Sequence, residues 1–177
     1  MNIDDLTAEA RNMLTPQNYQ KKVIDGVKVI SLQKHLTEDG AFAELLRFNE
    51  QGSFEELPEF RIAQINRSVM LPQTIKAWHL HFNQDEFWNV SARTHLLLGL
   101  WDVRENSPTK GTNMRIPLSS EKLVYIPRGV AHGAANHMTH ATEILYFVNN
   151  KYDKENPDEQ RLPWDALGKD FWEMKKE

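Results

Sequence analysis

The chain has no cysteine in 177 residues, which excludes disulfide staples, thiolate metal sites and a cysteine nucleophile. It also has no long hydrophobic run. The stretch Leu96-Leu97-Leu98-Gly99-Leu100-Trp101 falls far short of the roughly 20 residues that cross a bilayer as a helix. The opening Met1-Asn2-Ile3-Asp4-Asp5 lacks the basic and apolar regions of a signal peptide, so a cytoplasmic location is expected. Lys and Arg form no cluster and the net charge is −4, so no basic groove is present to track phosphates. Neither nucleic acid nor a membrane is an expected partner. What the chain does have is a hydrophobic share of 40% against 26% charged residues, the balance of a soluble domain with a packed core.

Periodicity then separates the ends from the middle. Residues 3–13 place Ile3, Leu6, Ala10 and Met13 at helical spacing behind the capping candidates Asp4, Asp5 and Thr7. A break is expected at 16–18, and 23–30 reads as two strand pieces about an Asp25-Gly26 turn. Short β-branched or aromatic segments follow at 42–48, 60–69, 75–82, 87–90, 95–103, 113–118, 123–126 and 141–148, separated by turn-formers. Many short strands without βα alternation predict a sandwich or a closed jelly roll. Trp164, Leu167, Phe171 and Trp172 predict a C-terminal helix over 163–174. The acidic stretch 153–159 reads as a surface loop.

Six of the seven histidines lie between His79 and His140. His79 and His81, two apart on a predicted strand, share one face, while Trp78, Leu80 and Phe82 take the other. The polar stretch Phe82-Asn83-Gln84-Asp85 predicts an antiparallel return that brings Glu86 back beside them. A third imidazole stands in Pro127-Arg128-Gly129-Val130-Ala131-His132, with Asn136 four residues on. These segments resemble the two motifs of the cupin superfamily: His-x-His, four spacers and Glu, then Pro-x-Gly-x-x-His-x-x-x-Asn. The resemblance implies a double-stranded β-helix, and His79, His81, Glu86 and His132 match its metal ligands. Such a set suits one divalent transition metal, Zn, Mn, Fe, Ni or Cu. Arg93, Gln73 and Glu121 stand where the motifs usually carry glycine.

A longer resemblance spans residues 30–172. It rests on Asp39-Gly40-Ala41-Phe42-Ala43-Glu44, Gln64-Ile65-Asn66-Arg67-Ser68, Lys76-Ala77-Trp78-His79, and Glu143-Ile144-Leu145-Tyr146. Its most specific string is Asp102-Val103-Arg104-Glu105-Asn106-Ser107-Pro108-Thr109-Lys110-Gly111. The chain is similar there to the dTDP-4-dehydrorhamnose 3,5-epimerases, a branch of the cupins. The likeness implies an isomerase that removes a proton α to the ketone of a 4-keto-deoxysugar nucleotide and returns one from the other side. His79 matches the base and Tyr146 the acid; Glu44, Gln64, Asn66, Lys76 and His132 match substrate contacts. No cofactor is required on this reading. The family's enolate-stabilising lysine has no counterpart at Asp85-Glu86-Phe87, and Lys76 stands where the family has arginine.

The two resemblances compete for His79, since a ligated imidazole cannot take a proton. A metal could replace the lysine as Lewis acid, with Tyr146 or His95 then serving as base. The expected architecture is an all-β jelly-roll (cupin) barrel with short N- and C-terminal helices: a helical arm over 1–22, then one domain over 23–177. A homodimer is expected through edge strands or the arm. Two further functions remain open: a metal-dependent cupin enzyme, dioxygenase or small-sugar isomerase, and a ligand-binding cupin without turnover.

Overall fold

The computed structural model describes residues 1–16 and 22–175. Its strands, in chain order, are Lys28–Ser31 (β1), Lys34–Thr37 (β2), Gly40–Ala43 (β3), Gln64–Met70 (β4), Thr74–His81 (β5), Glu86–Val90 (β6), His95–Asp102 (β7), Asn113–Ser119 (β8), Lys122–Ile126 (β9), Val130–Asn136 (β10), Thr142–Val148 (β11) and Glu159–Arg161 (β12). One antiparallel sheet has the order β1-β9-β6-β11-β4 and a second β12-β5-β10-β7-β8; β2 and β3 pair as a separate hairpin. This is the expected all-β jelly roll of the cupin type.

Alternation along the strands builds three apolar layers. Between the sheets lie Trp88, Val90, Leu98, Leu100, Val124, Ile126 and Ile144, each at most 3% exposed. Outside the first sheet, Phe87 and Phe147 pack against Phe54, Leu57 and Phe60, which fold back over them. Outside the second, Trp78, Ala131 and Ala135 are covered by Phe171 and Trp172. Each fully buried large side chain contributes about 1.5–3 kcal/mol. Gly99 is required by this third layer, because a Cβ there would come within 2.6 Å of the Trp172 ring. At Gly133 a Cβ would meet Ala77 at 2.4 Å, so glycine lets β10 lie close against β5.

Several local expectations need correction. Of the two strand pieces expected over 23–30, one forms, as β1, after a turn at Asp25-Gly26; Ile24, on the other side of the turn, is drawn into the core. Residues 3–13 split into a 3-10 turn, Ile3–Asp5, and a helix, Ala8–Met13 (α1), where Thr7 accepts a hydrogen bond from Ala10 as N-cap. The break expected at 16–18 falls largely outside the described residues. In place of a C-terminal helix over 163–174 there is a 3-10 turn, Lys169–Trp172. Gly168, with φ 87°, interrupts the run, so the apolar spacing there reflects docking and not helical period. The acidic stretch ends in β12, which pairs with β5 along the sheet edge. Phe82-Asn83-Gln84-Asp85 is no hairpin: β5 and β6 belong to different sheets, and the link crosses between them.

That crossing is pinned by an ion pair and by hydrogen bonds to two carboxylates. Asp85 accepts from the backbone and guanidinium of Arg128 and from Asn149, while Asp158 accepts from the backbone N–H groups of Phe82 and Asn83. The Asp102 string forms a second pin. Fully buried Asp102 accepts from Arg104, Ser107 and Thr109, and Arg104 also donates to the Asp25 carbonyl. These contacts make its role architectural. Among the described residues no helix is long and apolar enough to cross a membrane.

Candidate active site between the sheets

Where the interior turns polar it opens as a cavity of about 440 Å³. β5 supplies His79 and His81 on its inward face, β10 supplies His132, and β12 supplies Glu159 and Arg161. From the opposite sheet, β4 supplies Asn66 and Ser68, β6 supplies Glu86 and Trp88, and β11 supplies Tyr146. His132 and His79 are register partners, and their rings stack with centroids 5.8 Å apart. Tyr146 stands edge-on to Trp88 at 4.8 Å.

His81, Glu86 and His132 converge, with ligand atoms within 4.8 Å of one another. His81 Nε2 lies 3.1 Å from Glu86 Oε1 and His132 Nε2 3.5 Å from Glu86 Oε2. Gln84 and the Trp88 indole also donate to this carboxylate. Burial by itself would raise the Glu86 carboxyl, but His132, His81 and Trp88 outweigh it and hold it down at about 2. His132 Nδ1 lies 3.0 Å from the Val130 carbonyl; donating there leaves Nε2 as the lone-pair nitrogen when the ring is neutral.

His79, expected as a fourth ligand, stands outside this group. Its Nε2 lies 3.0 Å from Arg161 Nη1 and its Nδ1 3.4 Å from Glu159 Oε1. Burial, with the charges of His132 and Arg161, pushes its pKa down to about 3, so the ring is neutral near pH 7. Burial, with the Glu86 charge, pushes the Tyr146 phenol up to about 12 against a hydrogen bond with Ser68. The phenol therefore keeps its proton.

Of the expected substrate contacts, Asn66, Lys76 and His132 line the cavity. Gln64 donates to Asn66 Oδ1 at 2.6 Å and braces it from the next inward position on β4. Glu44 lies elsewhere, paired with Arg47 beside the β2–β3 hairpin. His95 is exposed at the start of β7 and does not reach the cavity. Glu159 and Arg161 were not among the sequence candidates. Their one signal is the two-residue spacing within Glu159-Gln160-Arg161, which puts both on one strand face.

The model of the dTDP-4-dehydrorhamnose 3,5-epimerases matches residues 21–171. The chain belongs to that family. The dTDP-4-dehydrorhamnose 3,5-epimerases are carbohydrate epimerases, isomerases by reaction class, and the chain is an enzyme of that kind. It is 39% identical over 145 residues to the spore coat polysaccharide biosynthesis protein SpsL of Bacillus subtilis, covering 81% of this chain and 91% of that one. A probable low-salt glycan biosynthesis epimerase, Agl13 of Haloferax volcanii, is 28% identical, covering 80% and 89%. Among solved structures, an epimerase of the family from Legionella pneumophila in complex with dTDP-4-keto-L-rhamnose shares 26% identity at a TM-score of 0.67, with 80% of this chain and 74% of that one covered. NovW of Streptomyces spheroides, a 4-keto-6-deoxy sugar epimerase, superposes with a TM-score of 0.72 over 92% of this chain and 84% of its own, at 21% identity, a likeness of fold.

Proposed function

We propose that the chain epimerises a 4-keto-deoxysugar carried on a nucleotide. His79 Nε2 removes the proton α to the ketone, and the Tyr146 hydroxyl returns one from across the sugar. The observation that carries this reading is the placement of His79 on β5 and Tyr146 on β11, in opposite sheets, lining one cavity. A sugar between the sheets meets a neutral imidazole on one side and a protonated phenol on the other. Inversion needs that pairing, since the proton leaves and returns on different faces. Asn66, Lys76 and His132 hold the substrate, and Trp88 walls the cavity. Supporting this, the Legionella relative was solved with a dTDP-sugar bound. A nucleotide sugar does not cross a bilayer unaided, so we place the reaction in the cytoplasm. Incubation with dTDP-4-keto-6-deoxyglucose in D2O tests the reading: deuterium enters at carbon adjacent to the ketone, and an inverted sugar accumulates.

A homodimer goes with this function. On the β2–β3 hairpin Phe42, beside His35 on one face, is 63% exposed, and Leu36 on the other face is 79% exposed, so both faces carry an apolar side chain that a second copy would cover. Glu44, which leads out of that hairpin, could then meet the partner's cavity. Light scattering of the purified protein gives twice the chain mass if this holds.

A second reading is favoured by the His81, Glu86 and His132 group. With His132 Nδ1 committed to Val130, the neutral ring turns a lone pair toward the Glu86 carboxylate, and a cation between them relieves the facing acceptors. These three residues would hold one divalent transition metal, which when bound supplies Lewis acidity. His79 stays available for proton transfer, so metal binding and epimerisation do not exclude each other. Elemental analysis tests this: about one metal per chain, lost in His81→Ala, supports the centre, and no metal after loading dismisses it.

A further inference from the structure

Taking a proton from carbon next to a ketone leaves charge on the ketone oxygen, and a donor fixed at that oxygen is commonly the largest single contribution to the rate. Among the described residues, three Lys or Arg side chains line the cavity: Arg67, Lys76 and Arg161. Lys76 is already engaged, its ammonium donating to Ser68 Oγ at 3.0 Å and the Val69 carbonyl at 2.9 Å. Arg67 is paired with Glu143 at 3.6 Å, with a side chain 67% exposed. Of these three, Arg161 touches the base.

We propose that Arg161 is the catalytic residue that binds the ketone oxygen and carries the enolate charge. This rests on the epimerase reading and names the group that reading leaves unassigned. The geometry comes from strand register. Arg161 is the β-partner of His79 and Glu159 that of His81, so the edge strand presents both side chains beside the imidazole. Arg161 Nη1 sits 3.0 Å from His79 Nε2. The carbon losing its proton is bonded to the ketone carbon, so base and oxygen donor must stand within about 3–3.5 Å of neighbouring substrate atoms. Nε2 and Nη1 lie side by side, 3.0 Å apart, as groups that address neighbouring substrate atoms must. Glu159 tethers the guanidinium through Nη2, and the side chain, 58% exposed, pivots about that tether from the imidazole to the ketone when substrate enters.

The step balances without a co-reactant. The C–H pair becomes the C–C π bond of the enolate, the carbonyl π pair moves to oxygen, and the proton goes to His79 Nε2. The guanidinium holds the oxygen by hydrogen bonds and keeps its own protons. Collapse of the enolate reverses the electron movement as carbon takes a proton from Tyr146.

Steady-state kinetics and solvent-deuterium exchange with dTDP-4-keto-6-deoxyglucose test this in wild type, Arg161→Gln, Arg161→Lys and Arg161→Ala. The expected result is a fall in kcat of about 100-fold or more in Gln and Ala, with KM changed by less than about threefold and Lys retaining intermediate activity. Added methylguanidine restores part of the rate to Arg161→Ala and none to His79→Asn. A raised KM with unchanged kcat overturns the proposal in favour of a diphosphate anchor. Unchanged exchange in Arg161→Gln overturns it while leaving the epimerase reading intact, and no exchange by the wild type overturns both.

Discussion

His79 and Tyr146 face one cavity from opposite sheets, one on β5 and the other on β11. In the proposed mechanism the base and the acid do separable jobs. Tyr146→Phe keeps the base and loses the returning proton. Deuterium should still enter the sugar, returned to the face it left, while the inverted product falls by about 100-fold or more. Proton NMR of the reaction in D2O reads both. Loss of exchange together with inversion would make Tyr146 part of the abstraction step instead.

The pH profile follows from the same pair. With His79 held at about 3 and Tyr146 at about 12, one stays neutral and the other protonated over the whole neutral range. kcat/KM should be flat from about pH 5 to about pH 10, with no acid limb near the ordinary imidazole value of about 6.5. A base of such low pKa is weak, and in the proposed mechanism movement of the Arg161 charge onto the enolate oxygen restores its strength. Arg161→Gln should therefore shift the acid limb upward. A limb at about 6.5 in the wild type would contradict this environment for His79.

Arg93 has φ 61° and Gln73 φ 54°, the left-handed region in which glycine is at ease. Arg93→Gly should stabilise the fold by about 0.5–1 kcal/mol, read from the urea midpoint at unchanged m-value. Gln73→Gly should not, because its side chain donates to the carbonyls of His137 and Met138, and losing both bonds offsets the relief.

Asp102 is 0% exposed. Burial opposes its charge, but hydrogen bonds from Arg104, Ser107 and Thr109 prevail and hold its carboxyl well below the ordinary range. A depressed carboxyl contributes stability that is complete above its unfolded value of about 3.9 and is lost as pH falls below it. Asp102→Ala should destabilise by about 3 kcal/mol and flatten the acid limb of stability. Asp102 does not line the cavity, so activity per folded molecule should persist.

Strands with one face in the core and the other half-exposed were legible, as on β4, whose pattern alternates from Gln64 to Val69. β10 was not marked as a strand because all seven of its residues are buried: with both faces covered, alternation disappears. β12 is three polar residues recognisable only through their partners on β5. The site divides the same way. His79, His81, Glu86, His132 and Tyr146 were legible from motif and spacing, and the structure brings them to one cavity. Their division into a converging trio and a separate His79 was not, because it depends on Arg161 arriving from a strand 82 positions along the chain.

The most direct test of the central claim is solvent-deuterium incorporation into dTDP-4-keto-6-deoxyglucose by wild type and His79→Asn, both confirmed folded. The expected result is exchange next to the ketone by the wild type, reduced by about 100-fold or more in the variant. Exchange at the wild-type rate by His79→Asn would contradict the account, because the proton would then be leaving to another group.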